Sequence, residues 1–238
     1  MIIEHSIQPL RVAGIGMDRM AASLIEIIAA MRGYEFVGLT SVGGDCPPRS
    51  RWPAGLIGDA DSLENLKARG IRAFFIVNAQ SLTPTQSASL FQKAVEFGFQ
   101  PVTLVHSRAC IARSAVIGPG CAILAGAVVG PNSIVRKNAF LGSGAIVEHD
   151  CQISSNCRIG AGALISHGVI LDEGVVVPEG AHIQRARSAA DEAAQAEGCS
   201  TDADKATVIK KSPPGGRLQM VRRFLLLDFD LGNCKDQQ

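Results

Sequence analysis

From Val105 to Ile183 every sixth residue is aliphatic: Val105, Ile111, Ile117, Ile123, Val129, Val135, Leu141, Val147, Ile153, Ile159, Ile165, Leu171, Val177 and Ile183. Four positions after these stands a second series of small or β-branched residues, including Ala115, Cys121, Ala127, Ser133, Ala139, Ala145, Cys151, Cys157, Ala163, Val169, Val175 and Ala181. An α-helix repeats its apolar residues at spacings of three and four, and a half-buried strand alternates, so neither produces a period of six. A coil of three short flat faces does. Each hexapeptide supplies one face and one corner, the large aliphatic fills the centre of a triangular prism, and the small residue fits where the wall turns. Three hexapeptides complete a coil, and successive coils stack about 4.8 Å apart through parallel backbone hydrogen bonds that satisfy their peptide groups. The repeat predicts a solenoid of about four coils.

The first hundred residues follow another pattern. Leu10 to Gly16 reads as a strand ending in a glycine turn, followed by helical spacing from Met17 to Arg32 with Met20, Leu24, Ile27 and Ile28 on one face. Glu35–Val42 and Ile71–Val77 read as strands, Asp61–Arg69 as a short helix capped by Asp61, and Thr83–Phe97 as a helix opened by Thr-Pro. Phe99–His106 is an extended entry into the repeat, and Gly43–Ala54, rich in Gly, Pro and Arg, is a surface loop. Alternating strands and helices predict a small parallel sheet covered by helices. Gly14-x-Gly16 between strand and helix is either a phosphate-binding turn or a tight connection without a ligand. A third glycine and an acidic residue after the second strand, where Thr40-Ser41 stands, are both missing, which argues against a dinucleotide.

Composition removes several function classes. Lys and Arg number 23 against 22 Asp and Glu, a formal charge of +1, so no field gathers nucleic acid or anionic lipid. No apolar run reaches the length of a membrane span, and the N-terminus lacks a leader pattern, so the expectation is a soluble cytoplasmic protein. The seven cysteines contain no Cys-x-x-Cys pair, which argues against a zinc site or a disulfide framework. Cys121, Cys151 and Cys157 fall in the small inward series and read as compact core residues rather than nucleophiles.

One polar cluster interrupts the repeat: Glu148-His149-Asp150, just after the inward Val147. Acyl transfer from a thioester needs a base for the nucleophile's proton, and imidazole suits that task near neutral pH. Asp150 or Glu148 would fix the ring's tautomer. The same cluster also fits a plain solvated corner. His167 follows His149 by eighteen residues, one coil, so the rings should stack on one edge, and such a pair disfavours double protonation. Two surface histidines with no role for the second is the other reading.

A glycine-turn βαβ domain, then Val102-Thr103-Leu104-Val105-His106-Ser107-Arg108-Ala109, then hexapeptides and Gly144-Ala145-Ile146-Val147-Glu148-His149-Asp150-Cys151, resembles the family of sialic acid O-acetyltransferases and UDP-linked amino-sugar N-acetyltransferases over about residues 9–183. The resemblance implies a Rossmann-like α/β domain (1–104) that holds a nucleotide sugar through the turn at Gly14 and Gly16, then a left-handed parallel β-helix (105–183). It implies a homotrimer using acetyl-CoA and no metal, with His149 as general base and Asp150 tuning it. Coenzyme contacts are implied at Gly162, Ala163, Ser166, His167 and Gly168, with the His167 N–H facing the thioester carbonyl.

The chain departs from that pattern at Met17-Asp18, where the family continues with Gly and His, and at Arg158, where relatives carry a second histidine near the acetyl group. Residues 184–238 also differ: Gln184–Glu197 reads as an Ala-rich helix, Gly198–Gly216 as a linker, and Met220–Leu231 as a basic then apolar segment whose Phe224–Leu227 run would cap the solenoid. These departures also fit a non-catalytic trimeric scaffold whose ligand sites have eroded.

Overall fold

The structure is a computed structural model and describes residues 8–18, 20–42, 55–59, 63–77, 82–184 and 207–209. Its N-terminal part runs β1 (Leu10–Ile15), α1 (Ala21–Ala30), β2 (Tyr34–Ser41), β3 (Leu56–Asp59), α2 (Leu63–Ala68), β4 (Ala73–Ile76), α3 (Pro84–Glu96) and β5 (Gln100–Pro101). The five strands form one parallel sheet in the order β3-β2-β1-β4-β5, a Rossmann-like arrangement. β4 is buried along its whole length, as expected of a central parallel strand with helices on both faces.

Three local expectations change. α1 begins at Ala21 rather than Met17, because Asp18 accepts from Met20 N–H through Oδ1 at 2.8 Å and from Ala21 N–H through its carbonyl at 3.1 Å, bonds that tie Asp18 to the residues opening the helix instead of continuing it. β3 was hidden in the sequence, because four residues interrupted by Gly58 show no usable alternation, yet it pairs parallel with β2 through Leu39 and Leu56. Thr207–Ile209, expected within a linker, pairs parallel with Val169–Leu171 as a further rung. The predicted loop at 43–54, the Asp61 cap, the helix after Gln184 and the apolar segment at 220–231 lie outside the described residues. α3 matches its reading closely: Thr83 and Gln86 form a reciprocal capping box, with Pro84 opening the helix.

The repeat folds into a left-handed parallel β-helix. Its first face carries Leu104–Val105, Ala122–Ile123, Phe140–Leu141, Arg158–Ile159 and Val176–Val177; its second carries Cys110–Ile111, Val128–Val129, Ile146–Val147, Leu164–Ile165 and His182–Ile183. Val116–Ile117, Ile134–Val135, Gln152–Ile153, Val169–Leu171 and Thr207–Ile209 make the third. Val129 sits beside Val147 and Val147 beside Ile165, one coil of eighteen residues per step. Both inward series fill a single core in which Ile123, Leu141, Val147, Ile159 and Leu171 are wholly buried.

The corners add a sixfold rule of their own. Every sixth residue from Gly120 to Gly180 has φ between 54° and 70°, and these positions hold only Gly, Asn or Asp: Asn132, Asn138, Asp150 and Asn156 among glycines. L-residues with larger or branched side chains pay a steric cost in this left-handed region, whereas Gly, Asn and Asp tolerate it. Inside the corners, small polar residues reach the carbonyl fifteen positions on. Cys121 donates to Arg136 O at 3.0 Å, Ser133 to Glu148 O at 2.6 Å, Cys151 to Ser166 O at 3.2 Å and Cys157 to Asp172 O at 3.1 Å. Burial pushes the Cys151 thiol up and those of Cys121 and Cys157 to about 11, so all three stay protonated donors at neutral pH.

The N-terminal sheet and helices cover one side of this prism. Leu104, Ala122 and Phe140, which point outward from the first face, are buried in a common core with Leu24, Ile27 and Ile28 of α1. Phe91 of α3 lies against Gly120, and Asn138 donates to Ser87 Oγ at 2.9 Å and to Asn156 Oδ1 at 2.8 Å. The second and third faces, and the corner between them, are left uncovered by that domain. Replacing Leu141 by Ala should destabilise the protein by roughly 2–5 kcal/mol, because a core this narrow cannot collapse around the cavity. Urea unfolding followed by circular dichroism measures that loss.

Candidate active site

Glu148, His149 and Asp150 form the corner between the second-face strand Ile146–Val147 and the third-face strand Gln152–Ile153. Asp150 occupies a left-handed slot at φ 58°, and of the three residue types found in such slots only Asp supplies a carboxylate. Its Oδ2 lies 2.7 Å from His149 Nδ1, and its Oδ1 accepts from Asn132 Nδ2 at 3.1 Å. The bond from His149, then that from Asn132, hold the Asp150 carboxyl below the usual carboxylate range. With an ionised carboxylate at Nδ1, the proton of the neutral ring belongs on Nδ1, which leaves Nε2 with a free lone pair. Both side chains are more than half exposed, so that nitrogen is open to a substrate.

The coil above contributes His167, whose ring stacks on that of His149 with centroids 5.2 Å apart and planes inclined by 12°. Glu148 turns toward this second ring. Its Oε2 accepts from His167 N–H at 2.7 Å and lies 3.5 Å from His167 Nδ1. The two carboxylates considered as orienters of His149 are thereby distinguished: Asp150 is bonded to it and Glu148 to His167. The His167 amide, read as a donor to a thioester carbonyl, is engaged by a carboxylate, and any such carbonyl would have to displace Glu148. Gly168 N–H donates to His149 O at 3.1 Å, and Ser166 Oγ lies 2.9 Å from His182 Nε2.

The other residues singled out in the sequence lie elsewhere. Gly162 and Ala163 belong to the corner between the first and second faces. Ala163 is fully buried, and its N–H and C=O are bonded to Gly160 and Ile146, which leaves it nothing to offer a ligand; Gly162 is exposed with open space around it. Gly14 and Gly16 sit at the end of β1 for reasons of packing. A Cβ at Gly14 would come within 2.6 Å of Leu39 and 2.8 Å of Phe75, while Gly16 has φ +98° and donates its N–H to Thr40 O. Arg158 is on the first face, away from His149, and donates to Leu82 O at 2.6 Å, with burial lowering its pKa against the pull of Asp18.

Two residues that sequence reasoning passed over adjoin the His149–Asp150 pair. Asn132 carries the amide on Asp150, and Ser133 bridges Glu148 O and Cys151 N–H from inside the prism, at 2.6 and 3.0 Å. Their signal was the eighteen-residue step, which places them directly beneath Asp150 and Cys151. Among the described residues no group of His, Cys, Asp and Glu could hold a metal ion, and no helix is long and apolar enough to cross a membrane.

Residues 132–167, which contain the whole cluster, match the family described as bacterial transferase hexapeptide (six repeats). The chain carries that repeat. No curated protein sequence matches it, but solved structures do. PerB from Caulobacter crescentus, in complex with CoA and GDP-perosamine, is 26% identical with a TM-score of 0.60, over 72% of this chain and 81% of that one. A histidine-to-asparagine variant of perosamine N-acetyltransferase from the same organism, also with CoA and GDP-perosamine, has a TM-score of 0.64 at 24% identity over 72% and 78%. The acetyltransferase domain of PglB from Neisseria gonorrhoeae shares the fold at TM-score 0.62 and 21% identity, over 83% and 96%.

The Asp150 carboxyl should titrate below the usual value of about 4. Its ion pair with His149 therefore contributes stability above that range and loses it as pH falls through the lowered pKa. Carbon-detected NMR of the Asp150 carboxyl checks this, and in His149→Ala the titration should move back up toward the usual value.

Proposed function

We propose that this protein is an acetyltransferase that moves the acetyl group of acetyl-CoA to an amino or hydroxyl group of a nucleotide-activated sugar, with His149 as general base. The observation that carries the reading is the His149–Asp150 pair, joined through Nδ1 at 2.7 Å on a histidine side chain more than half exposed. Nε2 takes the proton of the acceptor as its nitrogen or oxygen bonds to the thioester carbonyl carbon. The imidazolium, stabilised by Asp150, then returns a proton to the departing CoA sulfur. PerB, bound to CoA and GDP-perosamine, supports both the donor and the class of acceptor. Coenzyme contacts are assigned to the exposed His167 and the half-buried Ser166 and Gly168 beside the base, and to Gly162 across the second face; Ala163 drops out.

The reading extends to architecture and setting. We take residues 1–104 as a nucleotide-sugar-binding domain with Gly14 and Gly16 at its ligand edge, 105–183 as the β-helix and 184–238 as a divergent tail, in a cytoplasmic enzyme with access to acetyl-CoA. The N-terminal domain covers the first face, and His149 lies on the corner opposite. A sugar held by that domain is thus presented to the base of a neighbouring subunit in a homotrimer. The uncovered faces suit such packing: Val116 and Ile146 are 57% and 40% exposed, with Val128, Ile134, Leu164 and Ile170 part-exposed beside them. A trimeric scaffold without activity would share these faces but has no use for an ordered His–Asp pair.

Thiol release from acetyl-CoA, measured against a panel of GDP- and UDP-linked amino sugars, should show turnover that falls by at least about 10²-fold in His149→Ala. Asp150→Asn, which suits the left-handed slot as Asn132 and Asn156 do, should lower turnover without unfolding the coil. Trimers by light scattering are expected, and a stable monomer would contradict the arrangement.

A further inference from the structure

We infer that Asn132 and Ser133, neighbours on the coil beneath the base, form a two-sided cradle that positions the His149–Asp150 pair for acetyl transfer. The inference rests on the general-base reading above and concerns positioning residues, Asn132 bonded to Asp150 and Ser133 bonded to the residues that flank the pair, rather than contacts to any substrate.

Asn132 works from outside the prism. Its own φ of 58° puts it in a left-handed slot where Gly stands at most equivalent positions, so the backbone alone does not call for an amide there. The amide is instead spent on Asp150 Oδ1 at 3.1 Å, which leaves Oδ2 for His149 Nδ1 at 2.7 Å. One carboxylate oxygen is thus pinned from below while the other meets the ring. Asn132 N–H in turn donates to Ser114 Oγ at 3.1 Å, which fixes the asparagine from a further coil down.

Ser133 works from inside. Where the neighbouring corners are closed by Ala145 N–H on Gly142 O at 3.1 Å and by Ala163 N–H on Gly160 O at 3.2 Å, the Ser133 hydroxyl stands between the two ends of the His149 corner. It donates to Glu148 O at 2.6 Å and accepts from Cys151 N–H at 3.0 Å, bracketing the two catalytic residues. The donating half of this arrangement recurs at Cys121, Cys151 and Cys157, each bonded to the carbonyl fifteen residues on. A cysteine at 133 can therefore supply the same bond, whereas an alanine cannot. The pair acts only through geometry: a base displaced by about 1 Å can lose about 10²-fold in rate without any change in its identity.

The test compares Asn132→Gly, Ser133→Ala and Ser133→Cys in the full-length protein, with circular dichroism and light scattering confirming fold and assembly. Thiol release uses acetyl-CoA with whichever nucleotide-linked amino sugar the wild type accepts. Asn132→Gly and Ser133→Ala should each lower kcat by about 10-fold or more while leaving KM for acetyl-CoA unchanged, and Ser133→Cys should recover most of the loss. A second readout needs no substrate. Nitrogen-15 NMR of the histidine rings should show neutral His149 protonated at Nδ1 in the wild type and shifted toward the Nε2-protonated tautomer in Asn132→Gly. Variants that fold normally and keep both wild-type kcat and the wild-type tautomer overturn the cradle. Wild-type turnover in His149→Ala would instead overturn the general-base reading, and the tautomer measurement would still decide whether the cradle orders the ring.

Discussion

Parallel hydrogen bonding between strands eighteen residues apart is the constraint on which the rest of this molecule depends. Because each short rung must pair with those above and below, every side chain inherits neighbours at plus and minus eighteen, whatever its own chemistry. The step from Asn132 to Asp150, from Ser133 to Cys151 and from His149 to His167 is the same step. Polar clusters on such a scaffold are therefore built partly in columns: His149 is held by Asp150 beside it in sequence, and Asp150 by Asn132 one coil away.

The triangular section then decides what each column faces. The first face is apolar on its outside at Leu104, Ala122 and Phe140 and is buried against α1, while Asn138 and Ser87 tie the adjoining corner to α3. Removing one side from solvent leaves the opposite corner as the accessible polar edge, and the His–Asp pair stands there. The left-handed corner slot narrows the choice at position 150 to Gly, Asn or Asp, so one residue both meets the requirement of the turn and places a carboxylate on His149.

Much of this was legible beforehand because a period of six admits a single explanation. The inward series, the coil length, the stacking of His149 on His167 and the inert placement of Cys151 all follow from counting. The N-terminal sheet was readable where apolar runs and helix starts are strong, as at β1, β4 and the Thr-Pro opening of α3. β3 was not, since Leu56–Asp59 is too short and too interrupted by Gly58 to show alternation, and its partner β2 supplies the order. The rung at Thr207–Ile209 returns after a long excursion that breaks the period. At the site, sequence named the histidine but left open which carboxylate serves it, because Glu148 and Asp150 flank it equally along the chain and differ only in direction. It also offered the His167 amide as free, when the nearest carboxylate takes it at 2.7 Å. Side-chain direction at a corner, unlike period, is set by inter-coil contacts that no local pattern announces.

The central claim is that this lattice of columns leaves one imidazole nitrogen poised to accept a proton from a sugar acceptor. A crystal structure with CoA and a nucleotide-linked amino sugar bound together tests it most directly. The account predicts the acceptor nitrogen or oxygen within about 3 Å of His149 Nε2, with Asp150 still on Nδ1. An acceptor seated away from His149, or an Asp150 turned off the ring in the complex, would contradict it.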